Sequence, residues 1–187
     1  MNTVNTVNTV KTLKTSIAVL GVAVLAIWAA KRYYADANAD DLWWMLAPTA
    51  RLAGAVAGVP FTPAPGEGYF SPDRLFLIEK SCAGINFMIA AFGMVTLALV
   101  HRVQSASSGL RLLIVAFLTS YVAALGVNAS RIAVAMWLAT HQAGAGVLSA
   151  AEVHRLEGIA VYFGGLVLLY ELVRAFDRRT PPVELQP

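Results

Sequence analysis

Residues 83–100 read AGINFMIAAFGMVTLALV, a run without one charged side chain. A hydrocarbon core of roughly 30 Å needs about 20 apolar residues at a rise of 1.5 Å each, so this run predicts a helix that crosses a bilayer. Leu110–Val127 and Gly158–Phe176 repeat the pattern on its C-terminal side. On the N-terminal side a shorter apolar run, Ser16–Ala30, follows Lys11 and Lys14. It could also be read as a signal peptide, with Ala-x-Ala patterns at residues 35–37 and 37–39, but Lys31 and Arg32 stand between the apolar run and those sites. On either reading the N-terminus starts inside.

Composition extends the reading to the whole chain. Of 187 residues, 58% are hydrophobic and 13% charged, against roughly 25% charged in a soluble domain. Much of the surface must therefore face lipid. The net charge of +3 is too small, and too clustered at segment ends, to suggest a nucleic-acid partner. A single cysteine, Cys82, rules out an intramolecular disulfide, a CxxC redox pair and a multi-cysteine zinc site. No metal or organic cofactor is expected.

Between the long runs lie less decisive segments. Asn2–Val10 repeats Asn-Thr-Val and reads as disordered, so residues 1–15 are expected to form a disordered cytoplasmic N-terminus. Leu42–Val59, with Trp43, Trp44, Pro48 and Arg51, suits a helix in the interface or dipping partway in. Pro60–Glu79 reads as a turn-rich loop. Ile132–Ala143 is too short for a comfortable crossing before Gly144 and Gly146. The expected fold is all-α: a polytopic transmembrane helical bundle of about four full spans plus two partial or interfacial helices over residues 16–176, with a cytoplasmic tail from 177 to 187.

Charge orients that bundle. With four spans and both ends inside, the inner segments carry Lys11, Lys14, Arg102, Arg111, Arg174, Arg178 and Arg179. The other basic residues are spread outside over about twice as many positions, as the positive-inside tendency requires. Cys82, Asn128, Arg131 and His154, distant in sequence, then share the outer face.

Each of these has its own chemistry. Cys82 stands where Glu79-Lys80-Ser81 gives way to an apolar helix, and a helix N-terminus favours a thiolate; Lys80 would add to that. As a lone cysteine it could equally be a small buried apolar residue. Arg131, in Asn128-Ala129-Ser130-Arg131-Ile132, presents a fixed fork of donors suited to an oxyanion or a carboxylate, or else anchors the interface. Asn128, three residues earlier, is placed to orient it. Ser149 and Glu152 have capping-box spacing, so a helix starts near Ala150 and holds His154 near the outer interface, where it can exchange protons with a thiol or an amine. His101 and His141 are given no role. Gly84, Ala90, Gly93, Gly158, Gly164 and Gly165 allow close helix approach, and Trp28, Tyr33, Tyr34, Trp43 and Trp44 form an aromatic belt.

Three elements now stand in order: Cys-x-Gly-Ile (Cys82, Gly84, Ile85), Asn-x-x-Arg-Ile (Asn128, Arg131, Ile132) and His-x-x-x-Gly (His154, Gly158). Each adjoins an apolar span, and together, from Glu79 to Tyr170, they resemble the exosortase/archaeosortase family. The resemblance implies a cysteine transpeptidase on the outer face of the bacterial inner membrane. Its substrates would be secreted proteins carrying a C-terminal motif, a membrane helix and a basic tail. Cys82 would attack the scissile carbonyl to form a thioester, Arg131 would stabilise the oxyanion, and His154 would shuttle the proton. The sequence departs from the family at Ala83, where serine is common, and Asn86 stands where many members carry a polar or basic residue. It also lacks the extra spans and C-terminal domain of longer members. Histidine at 154 matches the bacterial branch.

Other functions fit parts of the pattern. A purely hydrolytic membrane cysteine protease passes through the same thioester. A non-catalytic scaffold or assembly factor would use Cys82 for packing and Arg131 as an anchor. A small transporter is disfavoured by the lack of an inverted repeat and of paired broken helices, and a rhomboid-type protease by the lack of Gly-x-Ser-x-Gly.

Overall fold

Four stretches of helix are long and apolar enough to cross a membrane: Thr9–Asp36 of α1 (Asn2–Asp36), Lys80–Arg102 around α3 (Ile85–Leu99), all of α4 (Ala106–Thr140), and Arg155–Arg179 of α5 (Ala150–Arg179). The chain is thus an all-α, multi-pass membrane protein, as its apolar runs predict. The computed structural model describes residues 2–141 and 150–179, including all side chains there except those of 2–8, 150, 151, 153 and 154. The Gly144/Gly146 break and the Ser149 cap lie outside the described residues.

Contacts between helix ends establish an up-and-down bundle. The Lys31 ammonium donates to the Asn86 side chain (2.7 Å), and Lys80 donates to the Ala35 carbonyl (3.0 Å), joining the end of α1 to the start of α3. At the other end Arg102, following α3, pairs with Asp177 near the end of α5. Burial is uneven: 44% of an 18-residue apolar window in the α3 span is buried, against 11% of such a window in the α1 span and 6% in the α5 span. Leu25, Trp28, Phe163, Leu168 and Phe176 are exposed, an apolar surface suited to lipid.

α4 organises the interior. Leu112, Ala116, Ser120, Ala124, Asn128, Ile132 and Met136, each four residues from the last, are all buried. Such an i±4 ridge packs into a neighbouring groove, and its small members let α2 and α3 come close. On α5, a Cβ at Gly165 would stand 2.8 Å from the Val127 side chain.

The structure corrects several local expectations. α1 begins at Asn2, where the Asn-Thr-Val repeat reads as disordered; extending an existing helix gains one hydrogen bond per residue, so a long apolar span carries a mediocre sequence with it. Residues 132–140 are not a separate partial helix but the last turns of α4, which at 35 residues is about 52 Å long and stands well beyond a 30 Å core. It runs on unbroken through Asn128, whose amide is directed to another segment, and Ser130, whose hydroxyl bonds back to the Gly126 carbonyl.

α2 (Trp43–Ala57) is a short helix as expected, and it packs along α4. Trp44 stacks on Tyr121, whose hydroxyl donates to the Trp44 carbonyl, and Met45, Leu46, Thr49, Ala50 and Ala53 are buried. The expected loop at 60–79 holds a small antiparallel sheet, β1 (Thr62–Ala64), β2 (Gly68–Phe70) and β3 (Leu77–Ile78), in the order β1-β2-β3. Gly68 makes the close β2–β3 approach possible: a Cβ there would stand 2.3 Å from the Ile78 carbonyl oxygen. The Asp40 carboxylate accepts from the Gly66 N–H (3.0 Å), tying the β1–β2 turn to the α1–α2 link.

Candidate active site around Cys82

Cys82 does not open α3 as the sequence suggests. Lys80–Cys82 form a 3-10 turn, Gly84 is the N-cap, and α3 begins at Ile85. The cysteine thus stands before the helix, and neighbouring side chains define its surroundings. The Ser81 hydroxyl donates to Glu79 (2.7 Å) and lies 3.8 Å from the Cys82 sulfur. Lys80 is engaged elsewhere, on the Ala35 carbonyl and over the Tyr34 ring (5.3 Å). Tyr34, assigned to the aromatic belt by sequence, instead lies within electrostatic range of Cys82 and Glu79.

Asn128 holds the turn in place. Fully buried on the α4 ridge, its amide N–H donates to the Cys82 carbonyl, and its oxygen accepts from the Tyr162 hydroxyl (2.8 Å). Asn128 therefore fixes the cysteine backbone and a tyrosine whose ring lies against Arg131. Gly84 permits this contact twice over. Its φ of +71° is a left-handed conformation, and a Cβ would stand 3.0–3.1 Å from Asn128 side-chain atoms.

Arg131 is one turn further along α4. Its guanidinium lies 5.3 Å from the centre of the Tyr162 ring, and it packs on Gly158, where a Cβ would stand 3.0 Å from Nε. Tyr162 is in turn braced by Phe87 of α3 (5.6 Å between rings). Cys82, Arg131 and the buried Glu157 all lie within electrostatic range of the Tyr162 hydroxyl. Three helices thus converge on one tyrosine.

Cys82 and Arg131 also line the same cavity, of about 290 Å³, drawn from residues 76–82 on one wall and 131–136 on the other. Where a cysteine and an arginine line one small, mostly apolar space, the thiol can attack a carbonyl and the guanidinium can meet the charge that develops on its oxygen. His154 lies on the α5 backbone four positions before Gly158, and its side chain lies outside the described residues.

The sequence reading missed Tyr162. The available signal was spacing: it follows Gly158 by four residues, as Gly158 follows His154, so the three fall along one side of a helix. Comparison of the chain with protein-family models, curated proteins and solved structures finds no match.

Proposed function

We propose that this protein is a membrane-embedded cysteine transpeptidase of the exosortase type, a short bacterial exosortase. It would cleave the C-terminal sorting signals of secreted proteins at the outer face of the inner membrane. The observation that carries the reading is the cavity shared by Cys82 and Arg131, formed by segments about fifty residues apart in sequence. A packing cysteine and an interfacial arginine have no need of a common cavity.

In this mechanism the Cys82 thiolate adds to the scissile carbonyl, and the Arg131 guanidinium meets the oxyanion. Collapse breaks the C–N bond, the leaving amine takes a proton from His154, and the acyl group remains as a thioester on Cys82. A nucleophile at the cell surface then attacks the thioester, gives its proton to the now neutral His154 and releases the Cys82 thiolate; water in its place gives hydrolysis. Asn128 and Tyr162 act as positioning residues, holding the cysteine turn and bracing the arginine.

The test is a secreted reporter ending in a short motif, a membrane helix and a basic tail, co-expressed with the chain. Processing is expected with the native protein and should stop with Cys82→Ala. Undiminished processing by that variant would overturn the enzymatic reading in favour of a scaffold.

A further inference from the structure

We propose that β3 is the substrate-binding edge of this protein: an extended peptide pairs with its outer side as an added strand and carries its scissile bond to Cys82. The proposal rests on the Cys82 chemistry above and adds how the peptide is held.

Among the described residues β3 is an edge strand, with β2 on one side. Its pairing register is Tyr69↔Ile78 and Phe70↔Leu77, and the Ser71 N–H donates to the Phe76 carbonyl (3.0 Å) just beyond. Residues facing each other in an antiparallel ladder alternate between bonded and non-bonded pairs. The bonded 71–76 pair therefore makes 70–77 non-bonded, which points the Leu77 N–H and C=O away from β2. One strand residue can accept both groups at once.

The cavity beside this edge is the one already described. Leu77 and Ile78 line it together with Cys82 and Arg131, and its far wall is the apolar Ile132, Ala135 and Met136 of α4. A strand on β3 would thus lie between the sheet and α4. From Ile78 the chain runs through Glu79 into the turn that bears Cys82, whose N–H donates to the Glu79 carbonyl (2.8 Å). A second groove, of about 510 Å³, shares Phe76 and Met136 with the first and continues past Val56 and Trp137. Together they offer an elongated apolar track ending at the thiol.

The backbone groups select the occupant. A lipid chain could fill the apolar track but would leave the Leu77 N–H and C=O without partners, and unpaired backbone groups are costly away from water. Natural edges are commonly blunted with lysine, proline or a covering segment. This edge instead carries Leu77, with exposed Leu75 beside it, and opens onto a cavity. Strand addition satisfies the backbone, while alternate side chains of the guest enter the apolar track.

Because Cys82 is the only cysteine, covalent labelling can be read from the intact mass of the full-length protein in lipid nanodiscs. The probes are acetyl-Val-Leu-Ala chloromethyl ketone and the same peptide N-methylated at each residue in turn, with iodoacetamide as the control. Methylation at the one residue that faces Leu77 should slow labelling about tenfold or more, the scale of one lost hydrogen bond in a desolvated site, and methylation at the other residues should change it little. Leu77→Pro removes the outward N–H without touching the β2 ladder. It should slow labelling by the parent peptide to a similar degree, while iodoacetamide labels Cys82 within about twofold of the native rate. Equal rates across the methylated series, or a native peptide rate in Leu77→Pro, would overturn the proposal. Should Leu77→Pro fail to fold, the methylated series on the native protein decides alone. The Cys82 chemistry is judged separately by the reporter, so failure of the strand pairing and failure of that chemistry are distinguishable.

Discussion

The bundle has a polar cluster at each end, and the two are built differently. At the Arg102 end, the Arg102 guanidinium is engaged by both the carboxylate and the backbone carbonyl of Asp177, and His101 lies 3.4 Å from the same carboxylate. That cluster closes on itself: opposite charges meet, and the contact ties α3 to α5. At the Cys82 end, Asn128 donates to the cysteine backbone carbonyl and accepts from Tyr162, while Cys82 and Arg131 line a cavity. The first arrangement spends its polar groups on holding helices together. The second uses Asn128 and Tyr162 as support and places a nucleophile and a cation on one cavity, the combination expected where a substrate's charge changes during reaction.

Variants at the two ends should therefore differ in kind. The largest effect is expected from Cys82→Ala, which should reduce reporter processing at least about a thousandfold, since no other thiol is available. Arg131→Ala should follow, with processing slowed on the order of a hundred- to a thousandfold, the range found when an oxyanion partner is removed. Arg102→Ala at the opposite end should leave the processing rate within about twofold while lowering the melting temperature in detergent. Its pair with Asp177 is less than a third exposed but lies near a helix end, so the loss should be about 1 kcal/mol. Strong loss of processing in Arg102→Ala, measured at matched amounts of folded protein, would erase the distinction between the ends.

Smaller changes sharpen it. Asn128→Ala leaves the Cys82 carbonyl and Tyr162 hydroxyl without this partner in a buried position, and about 1–3 kcal/mol of stability should be lost together with most processing. Tyr162→Phe keeps the ring against Arg131 and Phe87 but removes one hydrogen bond. About 0.5–1.5 kcal/mol is expected there, read from unfolding and reporter kinetics.

The smallest effect concerns Asp73, in the loop between β2 and β3. Its carboxyl is held below the ordinary aspartate range, first by the hydrogen bond from Ser71 and then by the Leu75 N–H. A folded value below the unfolded one means a contribution that is present above about pH 4 and is lost as pH falls through the folded value. Asp73→Asn should therefore remove a small part of the acid-side fall in melting temperature, and identical acid limbs would show that the loop does not contribute.

How far the site could be read from sequence varies by residue. Cys82 and Arg131 were legible because each is chemically distinctive beside an apolar run, and the cavity does bring them together. Asn128 was legible as a participant but not in its role: spacing of three on one helix suggested Arg131 as its neighbour, whereas burial turned it toward Cys82 on another segment. Tyr34 and Tyr162 were not legible, because aromatic residues in membrane helices are common and their partners lie across helix interfaces. The sheet was hidden by its brevity. Strands of two or three residues between prolines and glycines carry no measurable alternation.

The amino-acid order by itself determined that this chain spans a membrane several times, because the free energy of placing apolar side chains in lipid is summed locally, residue by residue along each run. It equally determined which residue types were able to do chemistry. Only the tertiary structure decided that α4 continues unbroken through Asn128 and Arg131, that β3 presents an open edge, and that Cys82 and Arg131 line one cavity. Those outcomes depend on packing between segments far apart in the chain. There the fit of a glycine against an asparagine or an arginine sets which groups meet, and such contacts leave no periodic trace in the sequence.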